Sequence, residues 1–213
     1  DKKWKDLAER ALNSFMKYFW DEKRGFLSDC LHCKSYHPAS ESLADDALRS
    51  NQLFAVTLDV IQDKMTQQAI FESSSCLLIP GAIRSLADRN NAFPLPVYSN
   101  YGELLNNPEN PYFHHYEGDE DTQRKPAYHN GTAWGWPLPI FCEAMMRAWG
   151  NSTESVAAAK GYLLSVEPLL NEGCLGQLPE ILDGDAPHSQ RGCDAQAWSV
   201  SEAIRVWKIL NEH

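Results

Sequence analysis

The amino-acid sequence predicts an all-α fold. Apolar side chains recur at helical spacing in six separate segments, and no segment alternates strongly enough to predict a sheet. The six segments pair along the chain as three helical hairpins, with long loops at the turns. With 213 residues, of which 43% are hydrophobic, residues 1–213 are expected to form a single segment with a sizeable core.

Three helices are predicted in the first half of the chain. The first occupies roughly the first 20 residues and ends before Gly25. Its apolar face is formed by Trp4, Leu7, Ala8, Ala11, Leu12, Phe15 and Phe19. The second begins near Ser50 and extends to about Val60. The third begins near Asp63 and ends before Leu77-Leu78-Ile79-Pro80, because Pro80 and Gly81 stop the helix.

Three further helices are predicted in the second half. Pro137 and Pro139 suit the first turn of the fourth helix. Ser152 begins the fifth, and the sixth carries Ala197 and Trp207 on its apolar face. The connection from about residue 90 to residue 130 is unusually long, and long ordered loops are usually functional. We therefore expect functional residues in the loops rather than in the helices.

The charge balance excludes several classes of function. The chain has 19 Lys and Arg against 29 Asp and Glu, a formal net charge of −10, and no basic stripe, which argues against nucleic-acid binding. No apolar run approaches the roughly 20 residues that span a bilayer, so no membrane partner is predicted. The first ten residues, DKKWKDLAER, lack the apolar region of a signal peptide, which predicts a cytoplasmic protein.

The six cysteines predict free thiols. They lie at positions 30, 33, 76, 142, 174 and 193. A chain of this length without an export signal does not need disulfides, so we expect free and mostly buried thiols in a reducing compartment. Cys30-Leu-His-Cys33, with His37 nearby, matches half of a zinc site, but no second Cys/His pair at zinc spacing follows. No metal or other cofactor is therefore predicted.

A cluster of polar and aromatic residues follows the long loop. His129 and Asn130 precede a glycine, and Trp134 and Trp136 follow it. Sugar hydroxyls need hydrogen-bond donors and acceptors, and the apolar faces of a sugar ring lie against aromatic rings. The cluster therefore suits a sugar site. The alternative is a loop that caps the next helix while its tryptophans fill the core.

A second cluster holds three carboxylates within six residues, close to Arg191. Glu180 has apolar residues on both sides, and a carboxylate among apolar neighbours is prone to desolvation, which favours a role in acid–base chemistry. Asp183 and Asp185 surround a glycine, as turn residues do. Glu180 is therefore the carboxylate to which we assign chemistry.

Two other polar segments have simple structural interpretations when taken alone. Asn51 and Gln52 stand at the start of the predicted second helix, where their side chains can cap the helix. The acidic stretch at 117–121 is typical of a solvated loop. Neither segment predicts a site by itself.

Four motifs nevertheless occur in one order along the chain: RSNQLFA, LLIPGAIRSL, YEGDEDTQRKPAYHNGTAWGW and GQLPEILDGDAPHSQRGCDAQAWSVSEAIR. Together they resemble the C-terminal half of the amylo-α-1,6-glucosidase domain of glycogen debranching enzymes, over nearly the whole chain. The sequence departs from the family pattern at Ser50, where the family often has Pro, and at Ala133, where it often has Val. Phosphate-loop, dinucleotide, serine-hydrolase and zinc-protease motifs are absent.

The resemblance implies about half of an (α/α)6 toroid, built from helical hairpins, with an active site formed by loops at one end. Members of the family hydrolyse the α-1,6-linked glucose of a branch stub with inversion, which requires one acid and one base. Glu180 matches the general base of the family. The general acid of the family lies in a Trp-Gly-Arg-Asp-Thr type motif, which is absent from this sequence.

We therefore expect this chain to supply the general base of an α-1,6-glucosidase, Glu180, and to need no cofactor. The expected glucan-binding residues are His129, Asn130, Trp134, Trp136, Asn51, Gln52 and Arg191, the last three orienting loops or substrate. The expected partners are glycogen or a similar branched α-glucan, and either the missing half of the toroid or a second copy, because half a toroid exposes apolar flanks. The alternatives are a non-catalytic glucan-binding or scaffold domain and a related toroid hydrolase with another α-glucoside substrate.

Overall fold

The computed structural model describes residues 2–213 and contains seven α-helices in that range. The helices are α1 (Lys2–Phe19), α2 (Phe54–Thr57), α3 (Lys64–Ser74), α4 (Lys125–Tyr128), α5 (Pro137–Ala148), α6 (Thr153–Leu163) and α7 (Ala197–Asn211). All six predicted helices are present. The second is shorter than predicted, since a 3₁₀ turn at Ser50–Leu53 precedes it and Val60 lies beyond its end. The short α4 was not predicted.

In the described part of the chain, nine short strands accompany the helices. Two isolated hairpins are formed by β1 (Trp20–Asp21) with β2 (Phe26–Leu27) and by β3 (Leu31–His32) with β4 (Leu43–Ala44). The other five strands form one antiparallel sheet in chain order. They are β5 (Leu78–Ile79), β6 (Ala82–Arg84), β7 (Ala133–Trp134), β8 (Ile181–Leu182) and β9 (Gln190–Arg191).

The five-stranded sheet shows that the all-α prediction was wrong in part. Each of its strands has only two or three residues, which is too short for a period of two to appear in the sequence. Ile181 and Leu182, neighbours with side chains on opposite faces, are both buried, so no alternation of apolar and polar residues marks this strand. The sheet joins loops that are far apart in sequence and thereby positions the candidate site.

Helices α2, α5 and α7 lie side by side and run in the same direction. At their first turns, the rings of Phe54 and Trp136 are 5.8 Å apart and those of Trp136 and Trp198 are 5.5 Å apart. At the other end of α2 and α5, Nη1 of Arg147 lies 2.9 Å from Oδ1 of Asp59. The N-terminal ends of three helices therefore converge on one aromatic cluster.

Helices α3 and α6 run in the opposite direction and pack between the three parallel helices. The first residue of α3, Lys64, donates through Nζ to the carbonyl of Arg147 at the end of α5, at 2.7 Å. Its last residue, Ser74, accepts from Nε2 of Gln52 just before α2, at 3.0 Å. Helix α6 contacts both α5 and α7. Helices α3, α5, α6 and α7 therefore pack as antiparallel neighbours, whereas α1 and α2, the first predicted hairpin, are separated by a cleft.

Helix α5 is the centre of the core. It is buried on every side: its fully buried side chains include Leu138, Phe141, Cys142 and Met146. Pro137 occupies its first turn, where a missing N–H costs no hydrogen bond. Because α5 begins directly after Trp136, the core holds that residue in a fixed place.

Helix α1 has no buried residue although one of its faces is strongly apolar. Phe15 and Phe19 pack against the core, whereas Trp4 is 65% exposed and Leu7 and Leu12 are also exposed. An apolar cleft of about 1020 Å³ separates α1 from α2. This face of the chain is therefore an uncovered apolar surface, of a kind that usually marks an interaction site.

The cysteines are free, as predicted, but the prediction that they are mostly buried was wrong. Only Cys142 is buried, because it lies on α5, whereas the other five cysteines are exposed. Cys33 donates through its thiol to the carbonyl of His37 at 3.4 Å. Among residues 2–213 no three His, Cys, Asp or Glu side chains are grouped closely enough to hold a metal ion. The helices in this range include none long and apolar enough to cross a membrane.

Candidate active site

Glu180 lies immediately before β8, where the sheet holds its backbone on both sides. Its N–H donates to the carbonyl of Cys193 at 2.9 Å, and its carbonyl accepts from the N–H of Gly135 at 3.2 Å. Its two carboxylate oxygens have separate donors: the hydroxyl of Tyr128 lies 3.3 Å from Oε1, and the N–H of Cys193 lies 3.0 Å from Oε2. The side chain is half-buried. The carboxylate is therefore oriented from two directions.

Aromatic rings form a continuous wall beside this carboxylate, which we call the aromatic wall: Tyr116, Tyr128, Trp134, Trp198 and Trp136. Successive ring centroids along it are 5.2, 5.0, 6.0 and 5.5 Å apart. Each of these separations lies in the range of favourable aromatic contacts. Trp134 is buried, whereas Trp198 keeps 43% of its surface exposed. The wall can therefore offer an indole face to a ligand without losing its own packing.

His129 and Asn130 flank the wall. The imidazole of His129 is parallel to the indole of Trp134, with ring centroids 5.6 Å apart. Partial burial and the nearby Arg49 guanidinium lower the pKa of His129, so the neutral imidazole is favoured. Asn130 is buried and uses its side chain within the protein: its amide donates to the carbonyl of Pro126, and its Oδ1 accepts from Arg49.

Arg49 connects this loop to the start of α2. It donates to the carbonyls of His129 and Ser85 and to Oδ1 of Asn130, and it pairs with Asp29 at 3.1 Å. Asn51 donates to the other carboxylate oxygen of Asp29 at 3.2 Å. Burial raises the pKa of Asp29 despite the opposing effects of Arg49 and Asn51. Asn51 thus lies near the His129 loop but contacts it only through Asp29 and Arg49.

Gln52 is buried, and its side-chain amide is hydrogen-bonded to three other residues. Its Oε1 accepts from the N–H of Leu27 at 3.0 Å, and its Nε2 donates to the hydroxyls of Ser73 and Ser74. It therefore fastens the β1–β2 hairpin to α3. The helix-capping interpretation of Asn51 and Gln52 was wrong, because neither side chain caps the turn at Ser50–Leu53. The role expected for Gln52, which is to orient loops or substrate, stays a prediction.

Asp183 is a buried anchor rather than a simple turn residue, which corrects the sequence interpretation. Its Oδ2 accepts from Nε and Nη2 of Arg191 at 3.1 and 3.0 Å, and its Oδ1 accepts from the N–H of Tyr116 at 2.8 Å. Burial by itself would raise the pKa of Asp183, but the hydrogen bonds from Arg191 and Tyr116 outweigh it and lower the pKa. Arg191 also pairs with Glu117, and thus ties the 117–121 stretch to this loop.

Asp185 extends the same loop contacts to β6. Its carboxylate accepts from Nη2 of Arg84 at 3.0 Å and from the hydroxyl of Tyr112 at 2.7 Å. Gly184 lies so close to the backbone of Gly131 that a Cβ there would be 2.3 Å from the Gly131 carbonyl oxygen. The 183–191 loop and the 128–136 loop are therefore packed together backbone to backbone.

The structure brings most of the sequence-predicted residues to one place. One aromatic and polar surface includes Glu180, Trp134, Trp136 and His129. Asn130 stabilises the neighbouring loop through its hydrogen bond with Arg49. Arg191 stabilises the same region through its ion pair with Asp183. Asn51 lies beside it and Gln52 lies in the core. Arg49, Trp198 and the contact of Tyr128 with Glu180 were not predicted from the sequence. Trp198 stands in the same motif as Glu180, and that adjacency is the signal that could have identified it.

Two clefts border this region, although Glu180 lines neither of them. A cleft of about 580 Å³ opens between α2, α5 and α7 next to Trp136 and Trp198. The larger apolar cleft beside α1 includes Asp29, Arg49 and Asn51 in its lining. The candidate site therefore lies on an open surface at the end of the three parallel helices.

This arrangement combines one carboxylate with side chains that suit a sugar ring. A half-buried carboxylate with one donor on each oxygen still has lone pairs for a water molecule. The adjacent indoles suit the apolar faces of a sugar ring, and a neutral imidazole can both donate to and accept from hydroxyls. A general base next to a sugar subsite is the chemistry that these groups support best.

Comparison with known proteins identifies the family of the chain. The model of the amylo-alpha-1,6-glucosidase family matches residues 1–205 of the 213, a range that includes every candidate site residue. A comparison with curated proteins found no match. The family match extends over far more than half of the chain, and it supports the resemblance that the four sequence motifs indicate. The chain therefore belongs to the amylo-alpha-1,6-glucosidase family.

Proposed function

We propose that this chain supplies the base side of an inverting α-1,6-glucosidase that removes single-glucose branch stubs from glycogen-like glucans. The observation that carries the proposal is the carboxylate of Glu180, oriented by Tyr128 and by the N–H of Cys193 beside a wall of indoles. Membership of the amylo-alpha-1,6-glucosidase family supports the substrate class. The net charge of −10 suits a neutral polysaccharide better than an anionic ligand.

In this mechanism Glu180 takes a proton from water while the water oxygen bonds to the anomeric carbon. The bond from that carbon to the O6 atom of the branch point breaks, its electron pair stays on O6, and a general acid protonates O6. The product is β-glucose, the inverted anomer. The family's acid motif is absent from these 213 residues, so the acid must come from another segment or another chain.

The partner we propose is the other half of an (α/α)6 toroid. The proposal is supported by five helices of alternating direction, α2, α5 and α7 in one direction and α3 and α6 in the other, where half of such a ring would have six. The first part of helix α1 presents exposed apolar side chains, Trp4, Leu7 and Leu12, which suit the next helix of the ring. A second copy of this chain is the alternative occupant, and light scattering on the purified chain distinguishes the two.

The test is made in the natural polypeptide that contains these residues, with a limit dextrin as substrate. A Glu180→Gln change should lower kcat about 10²- to 10⁴-fold, the usual contribution of a general base. In Glu180→Ala, added azide should restore turnover by attacking the anomeric carbon in place of activated water, with β-glucosyl azide as product. Wild-type rates in Glu180→Gln would show that the base is another residue.

Two other functions give different results in the same assays. A non-catalytic glucan-binding domain is favoured by the absence of the acid motif, and it would bind glucan without releasing glucose even beside a chain that supplies the other half. A related hydrolase would release glucose from maltose or trehalose faster than from limit dextrin. We further propose a cytoplasmic location, because five exposed free thiols suit a reducing compartment.

A further inference from the structure

We propose that Tyr128 is a positioning residue for the general base: its hydroxyl holds the Glu180 carboxylate in the orientation that activates water. This inference rests on the proposed function, since it assigns a role to Tyr128 only if Glu180 is the base. The hydroxyl of Tyr128 lies 3.3 Å from Oε1 of Glu180. No role in catalysis was assigned to this residue from the sequence.

The geometry gives the two donors complementary tasks. The N–H of Cys193 holds Oε2, and it belongs to the backbone next to the sheet, so a side-chain substitution cannot remove it. Tyr128 is the side-chain donor on the other oxygen. A single hydrogen bond at Oε2 tolerates a range of angles, so the carboxylate can still rotate about that contact. The contact from Tyr128 limits that rotation and thus sets where Oε1 points.

The ring of Tyr128 is itself firmly held. It lies 5.2 Å from the ring of Tyr116, 5.0 Å from that of Trp134 and 4.5 Å from that of His129, measured between centroids. Its own carbonyl accepts from Nε1 of Trp134 at 3.3 Å. The hydroxyl is therefore carried by a ring with three aromatic neighbours and a fixed backbone.

The chemistry of the phenol agrees with a donor role. Burial raises the pKa of Tyr128 above its ordinary value of 10, and the negative charge of Glu180 raises it further. The phenol therefore keeps its proton at neutral pH, where it donates to the carboxylate. Tyr116 also faces this region, and its pKa is raised, first by burial and also by Glu180, so it too is uncharged at neutral pH.

The first test is a Tyr128→Phe change in the natural polypeptide, assayed on limit dextrin. The substitution removes one oxygen atom and leaves the ring packing intact. We expect kcat to fall about 10- to 100-fold while KM changes less than about twofold, because misplacement of a reacting group lowers the rate of the chemical step. The matched control is Tyr162→Phe on α6, which removes a phenol hydroxyl next to Phe141, away from the site, and should leave both parameters unchanged.

The second test separates positioning from every other role. In a Glu180→Ala background with azide, no carboxylate remains for Tyr128 to orient, so adding Tyr128→Phe should leave the azide-rescued rate within about twofold. A further loss of tenfold or more would show that Tyr128 acts on the substrate or on the fold, and would overturn the inference. An unchanged kcat in the single Tyr128→Phe variant would also overturn it.

The two tests also distinguish failure of this inference from failure of the proposed function. If Glu180→Ala cannot be rescued by azide and Glu180→Gln is fully active, Glu180 is not the base, and the role of Tyr128 falls with it. If azide rescue succeeds but Tyr128→Phe has the kinetics of the wild type, the base assignment stands and only the positioning role is rejected. Thermal unfolding of Tyr128→Phe within about 2 °C of the wild type shows that its kinetics report on the site.

Discussion

Gly192 lies directly against the Glu180 carboxylate: a Cβ atom at Gly192 would be 2.6 Å from Oε2 and 3.0 Å from Cγ1 of Ile181. The residue also has a φ of +69°, in the left-handed region that favours glycine. Because Oε2 is the end of a flexible side chain, a methyl group here displaces the carboxylate before it displaces the sheet. Gly192 therefore reserves the space in which the proposed base is held.

A Gly192→Ala substitution should lower activity more than stability. We expect a stability loss of about 1–2 kcal/mol, the cost of left-handed backbone for a residue with a Cβ, and a fall in kcat of about 10- to 100-fold as Oε2 leaves the N–H of Cys193. Limit-dextrin kinetics and urea unfolding measure the two effects.

Gly176→Ala is the matched control for this substitution. Gly176 has a similar φ of +76°, but no atom lies within 4 Å of a Cβ built there. It should therefore lose the same stability and keep full activity. Equal activity losses in the two variants would mean that backbone strain, rather than contact with Glu180, is responsible.

Replacement of Asp183 should make the folded protein less stable in a pH-dependent way. The Asp183 side chain is only 6% exposed and pairs with Arg191, whose side chain is 24% exposed. Asp183→Asn removes the buried carboxylate from Arg191 and leaves only the exposed carboxylate of Glu117 as its charged partner. We expect a loss of about 2–3 kcal/mol at neutral pH, less than for a fully buried pair because Arg191 retains some solvent. Urea unfolding at pH 7 measures the difference.

The pH dependence follows from the lowered pKa of Asp183. A carboxyl whose pKa is lower in the folded state stabilises the protein at pH values above its unfolded pKa of about 3.9, and this contribution is lost as the pH falls through the folded value. The stability difference between wild type and Asp183→Asn should be constant above about pH 5 and shrink below about pH 4. Asp185→Asn, at a carboxylate 40% exposed, should cost less than about 1 kcal/mol.

The helices were predictable because the regular spacing of their apolar residues extends over enough of the sequence to be recognised. In α5, Pro137 also marks the start of the helix. The sheet was not predictable, since its strands of two or three residues acquire their identity only by pairing with segments far away in the chain. Ala133, for example, pairs with Arg84 on one side and Leu182 on the other. Such long-range pairing leaves no periodic trace.

The candidate site divides in the same way. Glu180 was predictable from its apolar neighbours and from the family resemblance, because both are properties of adjacent residues. Its donor Tyr128 lies 52 residues away, and Arg49 meets Asn130 across 81 residues, so spacing along the chain could not pair them. Asp183 was misinterpreted because an aspartate near a glycine has the same local signature in a turn and in a buried ion pair.

Replacement of Arg49 should change the ionisation of His129. Partial burial and then the Arg49 charge lower the pKa of His129, so Arg49→Met should raise that pKa by removing the positive charge. Arg49→Lys keeps the charge but cannot reproduce the forked contacts to the His129 loop. NMR titration of the His129 ring protons distinguishes them: the Met variant should titrate at higher pH than the Lys variant. Identical titration curves would show that Arg49 does not affect His129 through charge.

The exposed indole of Trp198 should contribute to glucan binding. It touches both Trp134 and Trp136 in the aromatic wall, and 43% of its surface is open to a ligand. Trp198→Ala removes one stacking surface, and we expect glucan affinity to fall about fivefold to tenfold, in keeping with the 0.5–1.5 kcal/mol of an aromatic contact. Isothermal titration with a limit dextrin measures the change.

Trp207 provides the matched control for Trp198, because it lies on the same helix, α7, and is 42% exposed. It makes no contact with the aromatic wall, so Trp207→Ala should leave glucan affinity unchanged while it removes the same amount of indole. If both substitutions weaken binding equally, the glucan contacts α7 along its length rather than at its first turn. If only Trp198→Ala does so, the sugar subsite lies at the converging N-terminal ends of α2, α5 and α7, next to Glu180.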